Sequence, residues 1–188
     1  MLNKLILFNK PFQVLSQFED AENRHTLKEY IPIKNVYPAG RLDYDSEGLM
    51  ILTSCGKTQH KITDPKSHMR KTYWVQIENI PTETDLNKIR QGIKIKGHLC
   101  LPARVKIIDE PVIWQRIPPI RARKHIPTSW LEISIQEGKN RQIRKMTAAM
   151  GFPTLRLIRI KIGPWQLNEL KPGEYRQIQT VAPNELSS

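Results

Sequence analysis

Alternation of apolar and polar side chains marks several short strands along the chain. In KTYWVQIEN, Tyr73, Val75 and Ile77 fall on one face, which predicts a half-buried strand. The segments ARVKIID and SWLEISIQE alternate in the same way. Two other segments, LNKLILFN at the start and GLMILTS further on, are largely apolar. We expect a strand in each, and a central place in a sheet for the second.

Two segments have the signals of helices. PTETDLNKIRQG begins with the Ser/Thr-x-x-acid pattern at Thr82 to Asp85 and ends at Gly92, which predicts a capped helix. In RQIRKMTAAMG, apolar side chains recur at helical spacing while basic ones occupy another face, which predicts a helix with a basic side. The apolar positions are Ile143, Met146 and Met150. A short helix is also predicted between Thr26 and Ile31.

The remaining segments, together with the order of strands and helices, indicate the fold class. TLRLIRIKIG changes its apolar phase after Leu157, and a one-residue slip predicts a bulge or bend. EPVIWQRIPPIRARKHIPTS holds four prolines, which predicts a long loop that is either ordered or folds on binding. Trp114 and Trp130 flank this loop, and we expect both to be core residues. Because strands and helices alternate in no strict order, we expect an α+β fold. A single domain over residues 1–180 and a frayed tail, 181–188, are predicted.

Charge narrows the class of partner. The 188 residues carry 30 Lys and Arg against 18 Asp and Glu, a net charge of +12. Such a balance favours a polyanion, either nucleic acid or an acidic membrane surface. Between residues 111 and 161, eleven basic side chains stand against two acidic ones. We expect basic faces over residues 116–124, 139–145 and 156–161 to bind phosphates.

Other features argue against secretion and membrane insertion. Cys55 and Cys100 have neither disulfide nor metal-ligand spacing. No apolar run approaches the roughly 18 residues that indicate a membrane span, and MLNKLILFNK lacks the features of a signal peptide. We therefore expect a cytoplasmic protein with free thiols and no membrane partner.

Three carboxylates at alternate positions, Asp43, Asp45 and Glu47, are candidates for chemistry. They imitate the first half of a calcium loop, but the twelfth position, which requires a bidentate Glu, is Ser54. The five histidines show no paired-ligand spacing. A divalent metal for phosphoryl chemistry, as in a nuclease, stays open as an alternative. For Asp45 and Glu47 we expect a solvated turn.

The residues around Asp43 resemble the central motif of the pseudouridine synthases, in which Gly-Arg-Leu-Asp is followed by Ser, by Gly-Leu and by a strand ending in Leu-Thr. GRLDYDSEGLMILT contains each of these. KTYWVQIE resembles the family segment that supplies an active-site Tyr, here Tyr73. EGKNRQIRKM resembles the one that supplies a basic partner for the Asp, here Arg144. The resemblance runs from Phe8 to Gly173 and is greatest to the branch that modifies large-subunit ribosomal RNA.

This resemblance implies a fold, an activity and partners. The fold would be a mixed, mainly antiparallel sheet with flanking helices, bent around a central basic cleft. The activity would be isomerisation of a uridine in 23S ribosomal RNA, or in a large-subunit precursor, by a monomer that uses no cofactor and no metal. Asp43 would be catalytic, by attack on C1′ or by abstraction of a sugar proton. Arg144 would be the cation that keeps this carboxylate ionised.

Further substrate contacts follow from the same resemblance. Tyr73 would stack on a flipped uracil, unless it is an ordinary inward-facing strand aromatic. Arg41 would fill the space left in the RNA or hold a phosphate, unless it forms a surface salt bridge. The basic surface expected to bind RNA comprises Arg121, Arg123, Lys124, Lys139, Arg141 and Lys145.

The chain departs from the family pattern at two points. Many relatives begin with an S4 RNA-binding module, which we do not expect here because the first catalytic strand starts almost at Met1. Many also have Gly where this chain has Gln13, so the shape of that turn is open. A non-catalytic ribosomal or assembly RNA-binding protein that kept the fold is the alternative function.

Overall fold

The computed structural model describes residues 3–120, 123 and 125–180, apart from the side chains of residues 179 and 180. Its strands are β1 (Asn3–Lys10), β2 (Tyr37–Pro38), β3 (Glu47–Thr53), β4 (Lys71–Glu78), β5 (Lys94–Ile95), β6 (His98–Leu99), β7 (Arg104–Ile108), β8 (Thr128–Ile135), β9 (Thr154–Ile162), β10 (Trp165–Gln166) and β11 (Tyr175–Thr180). Its helices are α1 (Gly56–Thr63), α2 (Glu83–Gln91) and α3 (Gln142–Ala149), with 3₁₀ helices at Leu27–Glu29 and Pro65–Ser67. The predicted α+β class is confirmed.

The chain divides into two compact units, of which the first takes in residues up to Met69 and those from Pro164 onward. In this unit β1 lies between β11 and β3, antiparallel to both, and β2 pairs with the far side of β3. Every residue of β3 is buried, which confirms the central strand predicted from GLMILTS. Apolar side chains of β1 and β3 form one core with residues of the segment between them, among them Phe8, Leu27 and Met50.

The second unit spans Arg70–Gly163 and is an antiparallel sheet in the order β9, β4, β8, β7. The predicted alternation of β4 is confirmed, because Tyr73, Val75 and Ile77 are all buried. The register between β4 and β9 shifts twice, between Thr72 and Tyr73 and again near Ile77. The bulge predicted from the changed apolar phase of β9 is therefore present, and a second irregularity accompanies it.

Both predicted long helices are confirmed in the second unit. The Thr82 hydroxyl accepts from the Asp85 N–H and the Asp85 carboxylate accepts from the Thr82 N–H, so the capping box is complete at the start of α2. The three apolar positions predicted to share a face are all buried: Ile143 and Met146 lie in α3, and Met150 is the residue directly after it. The helix predicted between Thr26 and Ile31 is only a 3₁₀ turn, although it has its own capping box.

Some elements carry no signal in the sequence pattern. Helix α1 begins after Cys55, which makes no side-chain cap, and only Thr58 and Ile62 of the helix are buried. The β5–β6 hairpin has two residues in each strand. The described residues between β7 and β8 form no helix or strand, as predicted for the proline-rich loop. No helix in the described part of the chain is long and apolar enough to cross a membrane.

The single domain over residues 1–180 and the central basic cleft stay predictions. The tail predicted for residues 181–188 lies outside the described residues.

Candidate active site

Asp43 lies in the first unit, in the loop between β2 and β3. Hydrogen bonds fix the backbone on both sides of it. The Leu42 N–H donates to Ser16 Oγ (3.0 Å), which itself donates to the Leu42 carbonyl oxygen (2.6 Å). The Ser46 N–H donates to the Asp43 carbonyl oxygen (3.1 Å). Leu42 is buried whereas Asp43 is half-buried, so the carboxylate stands on a backbone that the protein interior holds in place.

The segment after β1 supports this loop from a second direction. Lys10 is fully buried, and its Nζ donates to the carbonyl oxygens of Pro11 (2.8 Å) and Val14 (2.7 Å). Gln13 has a φ of 58°, in the left-handed region that favours glycine, and its N–H donates to the Tyr44 carbonyl oxygen (2.9 Å). The turn with Gln at the family's Gly position therefore keeps a left-handed backbone and contacts the residue next to Asp43.

The three carboxylates differ in their surroundings. Asp43 and Asp45 are half-buried, but Glu47 is the first residue of β3 and only 2% exposed. The prediction that Glu47 belongs to a solvated turn is wrong, because β3 begins earlier than the apolar run and includes it. Among the described residues, no group of three or more His, Cys, Asp or Glu side chains is arranged to hold a metal ion.

Tyr73 lies in the second unit, near the start of β4. It stands opposite Arg159 of β9 on one side and Ile133 of β8 on the other. Its side chain is buried, on the same face as Val75 and Ile77. This burial suits an inward-facing strand aromatic, and the stacking role on uracil stays a prediction.

Arg144 lies on α3, where it is half-buried. Its Nη1 donates to the Thr154 carbonyl oxygen at the start of β9 over a long 3.5 Å. A second contact, 2.7 Å between the hydroxyls of Thr147 and Thr154, joins the same helix and strand. Helix α3 is thus held against β9, which fixes the place of Arg144 within this unit.

The predicted site residues therefore divide between the two units. Arg41, which is exposed, and Asp43 share one loop of the first unit, whereas Tyr73 and Arg144 belong to the second. That Asp43 meets Tyr73 and Arg144 stays a prediction.

The predicted RNA-binding surface is placed in part. Lys139 and Arg141 are exposed, and Lys145 is half-buried with its Nζ donating to the Asn140 carbonyl oxygen (2.6 Å). Arg123 is exposed and forms a salt bridge of 3.2 Å with Glu78. Arg121 and Lys124 lie outside the described residues.

The basic face predicted over residues 156–161 needs correction, because Arg156 and Arg159 are buried. Arg156 Nη2 donates to the Trp114 carbonyl oxygen (3.0 Å), and its guanidinium lies over the Trp114 ring, 5.7 Å from the centroid. Arg156 therefore holds the proline-rich loop and is not a surface contact for phosphate. The strand pattern missed this because a charged position in a strand is ordinarily taken to face water.

Sequence reasoning also missed Lys71, which precedes Tyr73 by two residues and is half-buried. Burial, together with the nearby charge of Arg159, lowers the pKa of Lys71. The available signal was the period of two in β4, which places Lys71 on the face of Tyr73.

Comparison with known proteins assigns the family. The family described as RNA pseudouridylate synthase matches residues 4–149. The chain belongs to the RNA pseudouridylate synthases. This synthase is 56% identical, over 94% of its chain and 74% of the relative, to the ribosomal large subunit pseudouridine synthase E of Vibrio parahaemolyticus. It is 49% identical, over 89% of its chain and 90% of the relative, to the protein of the same name from Xanthomonas axonopodis pv. citri.

The fold of the synthase agrees with this assignment. A crystal structure of a pseudouridylate synthase superposes with a TM-score of 0.79 at 30% identity, covering 94% of this chain and 70% of that one. The family match includes Asp43, Tyr73 and Arg144. The protein is an RNA pseudouridine synthase, an isomerase, and the predicted family and enzyme class are confirmed.

Proposed function

We propose that this synthase converts one uridine of 23S ribosomal RNA to pseudouridine, either in free RNA or in a large-subunit precursor. The observation that carries the proposal is the 56% identity, over 94% of the chain, to a relative named for the large ribosomal subunit. The +12 charge of the chain suits an RNA substrate. We further propose that the protein acts in the cytoplasm as a monomer.

The reaction requires that one bond of the nucleotide be exchanged for another. The C1′–N1 bond breaks, the uracil turns, C1′ joins C5, and the proton on C5 is lost while N1 gains one. No redox change occurs and no group is added, so we propose catalysis by the protein's own side chains, without a cofactor or metal. The target base must leave the RNA stack to be reached, at a cost of a few kcal/mol.

Asp43 is the proposed catalytic residue. An ionised carboxylate can attack C1′ or remove a sugar proton on the way to a glycal, and both routes require the same charged oxygen. The hydrogen bonds at Leu42 and Ser46 fix the backbone beside it, which supports a positioned nucleophile. We propose that Arg144 stabilises the ionised form, since a cation near a partly buried carboxylate favours its charge.

Two more side chains complete the proposed site. Tyr73 stacks on the extruded uracil, and its hydroxyl is the group proposed to take part in removing the C5 proton. Arg41, exposed on the loop of Asp43, occupies the gap left in the RNA or holds a neighbouring phosphate. The exposed Arg123, Lys139 and Arg141 supply contacts to phosphates that do not depend on sequence.

The test is to map pseudouridine directly. Unmodified 23S ribosomal RNA, and precursor particles lacking the modification, are incubated with the protein in EDTA and probed by carbodiimide-stalled primer extension. A single new stop is expected in one of these substrates. Binding without any stop would favour the non-catalytic RNA-binding protein. Strand scission that requires added metal would favour the nuclease.

A further inference from the structure

Lys71 occupies an unusual place for a lysine. It is the first residue of β4. The period of two along a strand puts Lys71 and Tyr73 on the same face, with about 7 Å between their backbone positions. It is half-buried, although lysine side chains are ordinarily exposed. The ammonium group is thus held beside the residue proposed to stack on uracil.

A second cation lies on the same face. Arg159 of β9 stands directly opposite Tyr73 in the antiparallel pair and is 5% exposed. Residues directly opposite in such a pair share a face of the sheet. Burial first, and the charge of Arg159 second, lower the pKa of Lys71, so the two cations are close enough to repel each other.

The Lys71 ammonium also reaches the segment that leads into α3. A Cβ built on Gly138 would lie 4.0 Å from Lys71 Nζ. The residues that follow Gly138 include the exposed Lys139, which forms a salt bridge with Glu137 (3.3 Å), and the exposed Arg141. Among the ion pairs of the residues that the structure describes, none includes Lys71. Positive charge from Lys71 of β4 and Arg159 of β9 therefore comes together within the second unit, and among the described residues no carboxylate forms an ion pair with Lys71.

A lysine that is half-buried beside another cation costs stability in the free protein, and an anion bound there would offset that cost. We propose that Lys71 binds a backbone phosphate of the RNA, at or next to the nucleotide whose base stacks on Tyr73. The proposal rests on the proposed function and adds to it a substrate-binding residue beside the aromatic. A phosphate held here would fix the ribose relative to the uracil and so limit how the extruded nucleotide can turn.

The first test compares three variants with the wild-type protein. Lys71→Met keeps the length and apolar stem but removes the charge, and Lys71→Arg keeps the charge. Lys94→Met is the matched control, because Lys94 is an exposed lysine of β5 in the same unit and lies outside the surfaces expected to bind phosphates. Each variant is titrated with a stem-loop of 23S ribosomal RNA carrying the mapped uridine, at several salt concentrations.

Lys71→Met should weaken binding by about tenfold at low salt and reduce the slope of log affinity against log salt by about 0.7 to 0.9. Lys71→Arg should bind nearly as the wild type, and Lys94→Met should change neither the affinity nor the slope by as much. The free Lys71→Met protein should unfold at the same temperature or higher, since a repelled, half-buried charge has been removed. A lower unfolding temperature with an unchanged salt slope would mean that Lys71 is structural and would overturn the proposal.

The second test identifies the phosphate. Single methylphosphonate linkages, placed in turn on either side of the uridine with the adjoining 2′-hydroxyl methylated, remove one phosphate charge at a time. One of them should weaken binding of the wild type by about tenfold and leave binding of Lys71→Met unchanged. Equal sensitivity of both proteins at every linkage would overturn the contact. Binding without turnover by the wild type would instead overturn the proposed function.

Discussion

Gln13 has a backbone conformation that glycine adopts most easily. Its φ of 58° lies in the left-handed region, and its N–H contacts the loop of Asp43 through the Tyr44 carbonyl oxygen. Adopting this region costs a residue with a Cβ roughly 1 to 2 kcal/mol, whereas it costs glycine little. Glycine loses more backbone entropy on folding, however, so its net advantage at this position is smaller than that cost. Contacts with the surrounding residues therefore stabilise this turn, although glutamine does not favour the left-handed conformation.

Replacing Gln13 with Gly should raise the free energy of unfolding by up to about 1 kcal/mol, because the left-handed backbone then carries no Cβ. Urea unfolding measures this, with Gln13→Ala as the control that keeps the Cβ and should give no gain. A loss of stability in Gln13→Gly would show that the glutamine side chain itself stabilises the turn.

Charged residues were the hardest to place from sequence. Asp43 was singled out by its neighbours in the GRLD motif, whereas Glu47 and Arg156 were predicted to face solvent and are buried. Alternation identifies the apolar face of a strand, but it does not say whether the opposite face is covered as well. That depends on residues distant in sequence, such as Trp114, which stacks with Arg156.

At the scale of the element, prediction succeeded where a local signal exists. Helix α2 has a capping box and a terminal Gly92, and β4 alternates from Tyr73 to its end, so both are found at the expected places. Helix α1 follows Cys55, which makes no cap, and buries few side chains, so nothing in the sequence distinguishes it from a loop. Its helical state is set by packing on the rest of its unit.

The capping box of α2 should make stability depend on acid. Hydrogen bonds from Lys88 and Thr82 lower the pKa of Asp85 from its usual 3.8 to about 2. A carboxyl group whose pKa is lower in the folded protein than in the unfolded protein stabilises the fold at pH values above the unfolded-state pKa. This stabilisation is lost as the pH falls toward the folded-state pKa. Asp85→Asn should therefore be less stable than the wild type at about pH 5, and the difference should shrink as pH approaches 2. Urea midpoints across this range measure it, and a constant difference would contradict the account.

The proline-rich loop is held by the buried side chain of Arg156, which contacts Trp114. Arg156→Lys keeps the charge but loses the planar stack on Trp114 and the fork of donors. We expect faster tryptic cleavage between residues 116 and 124 and RNA binding several-fold weaker. Lys106→Gln is the control, since the exposed Lys106 forms a surface salt bridge with Glu132, away from Trp114 in the sequence. Unchanged cleavage in Arg156→Lys would mean that the loop is held elsewhere.

At the scale of the whole molecule, charge should decide how the synthase binds RNA. Replacing Arg121, Arg123 and Lys124 together with Gln should weaken rRNA binding and flatten its salt dependence, by roughly 0.7 to 0.9 in slope for each phosphate that the variant no longer neutralises. The matched control is Lys28, Lys34 and Lys57 replaced with Gln, which removes the same charge from exposed positions of the first unit. Equal effects of the two triple variants would mean that only net charge matters.

The central claim is that one carboxylate carries the chemistry. The most direct measurement is pseudouridine formation in 23S ribosomal RNA by Asp43→Asn, alongside Asp45→Asn and Glu47→Gln. Asp43→Asn should form no pseudouridine while binding the RNA within a few fold of the wild type, because it loses only the anionic oxygen. Asp45→Asn should retain turnover. Glu47 is buried, so Glu47→Gln should lower the stability of the protein, but each folded molecule should retain turnover. Pseudouridine formed by Asp43→Asn, or its equal loss in folded Asp45→Asn, would contradict the single catalytic carboxylate.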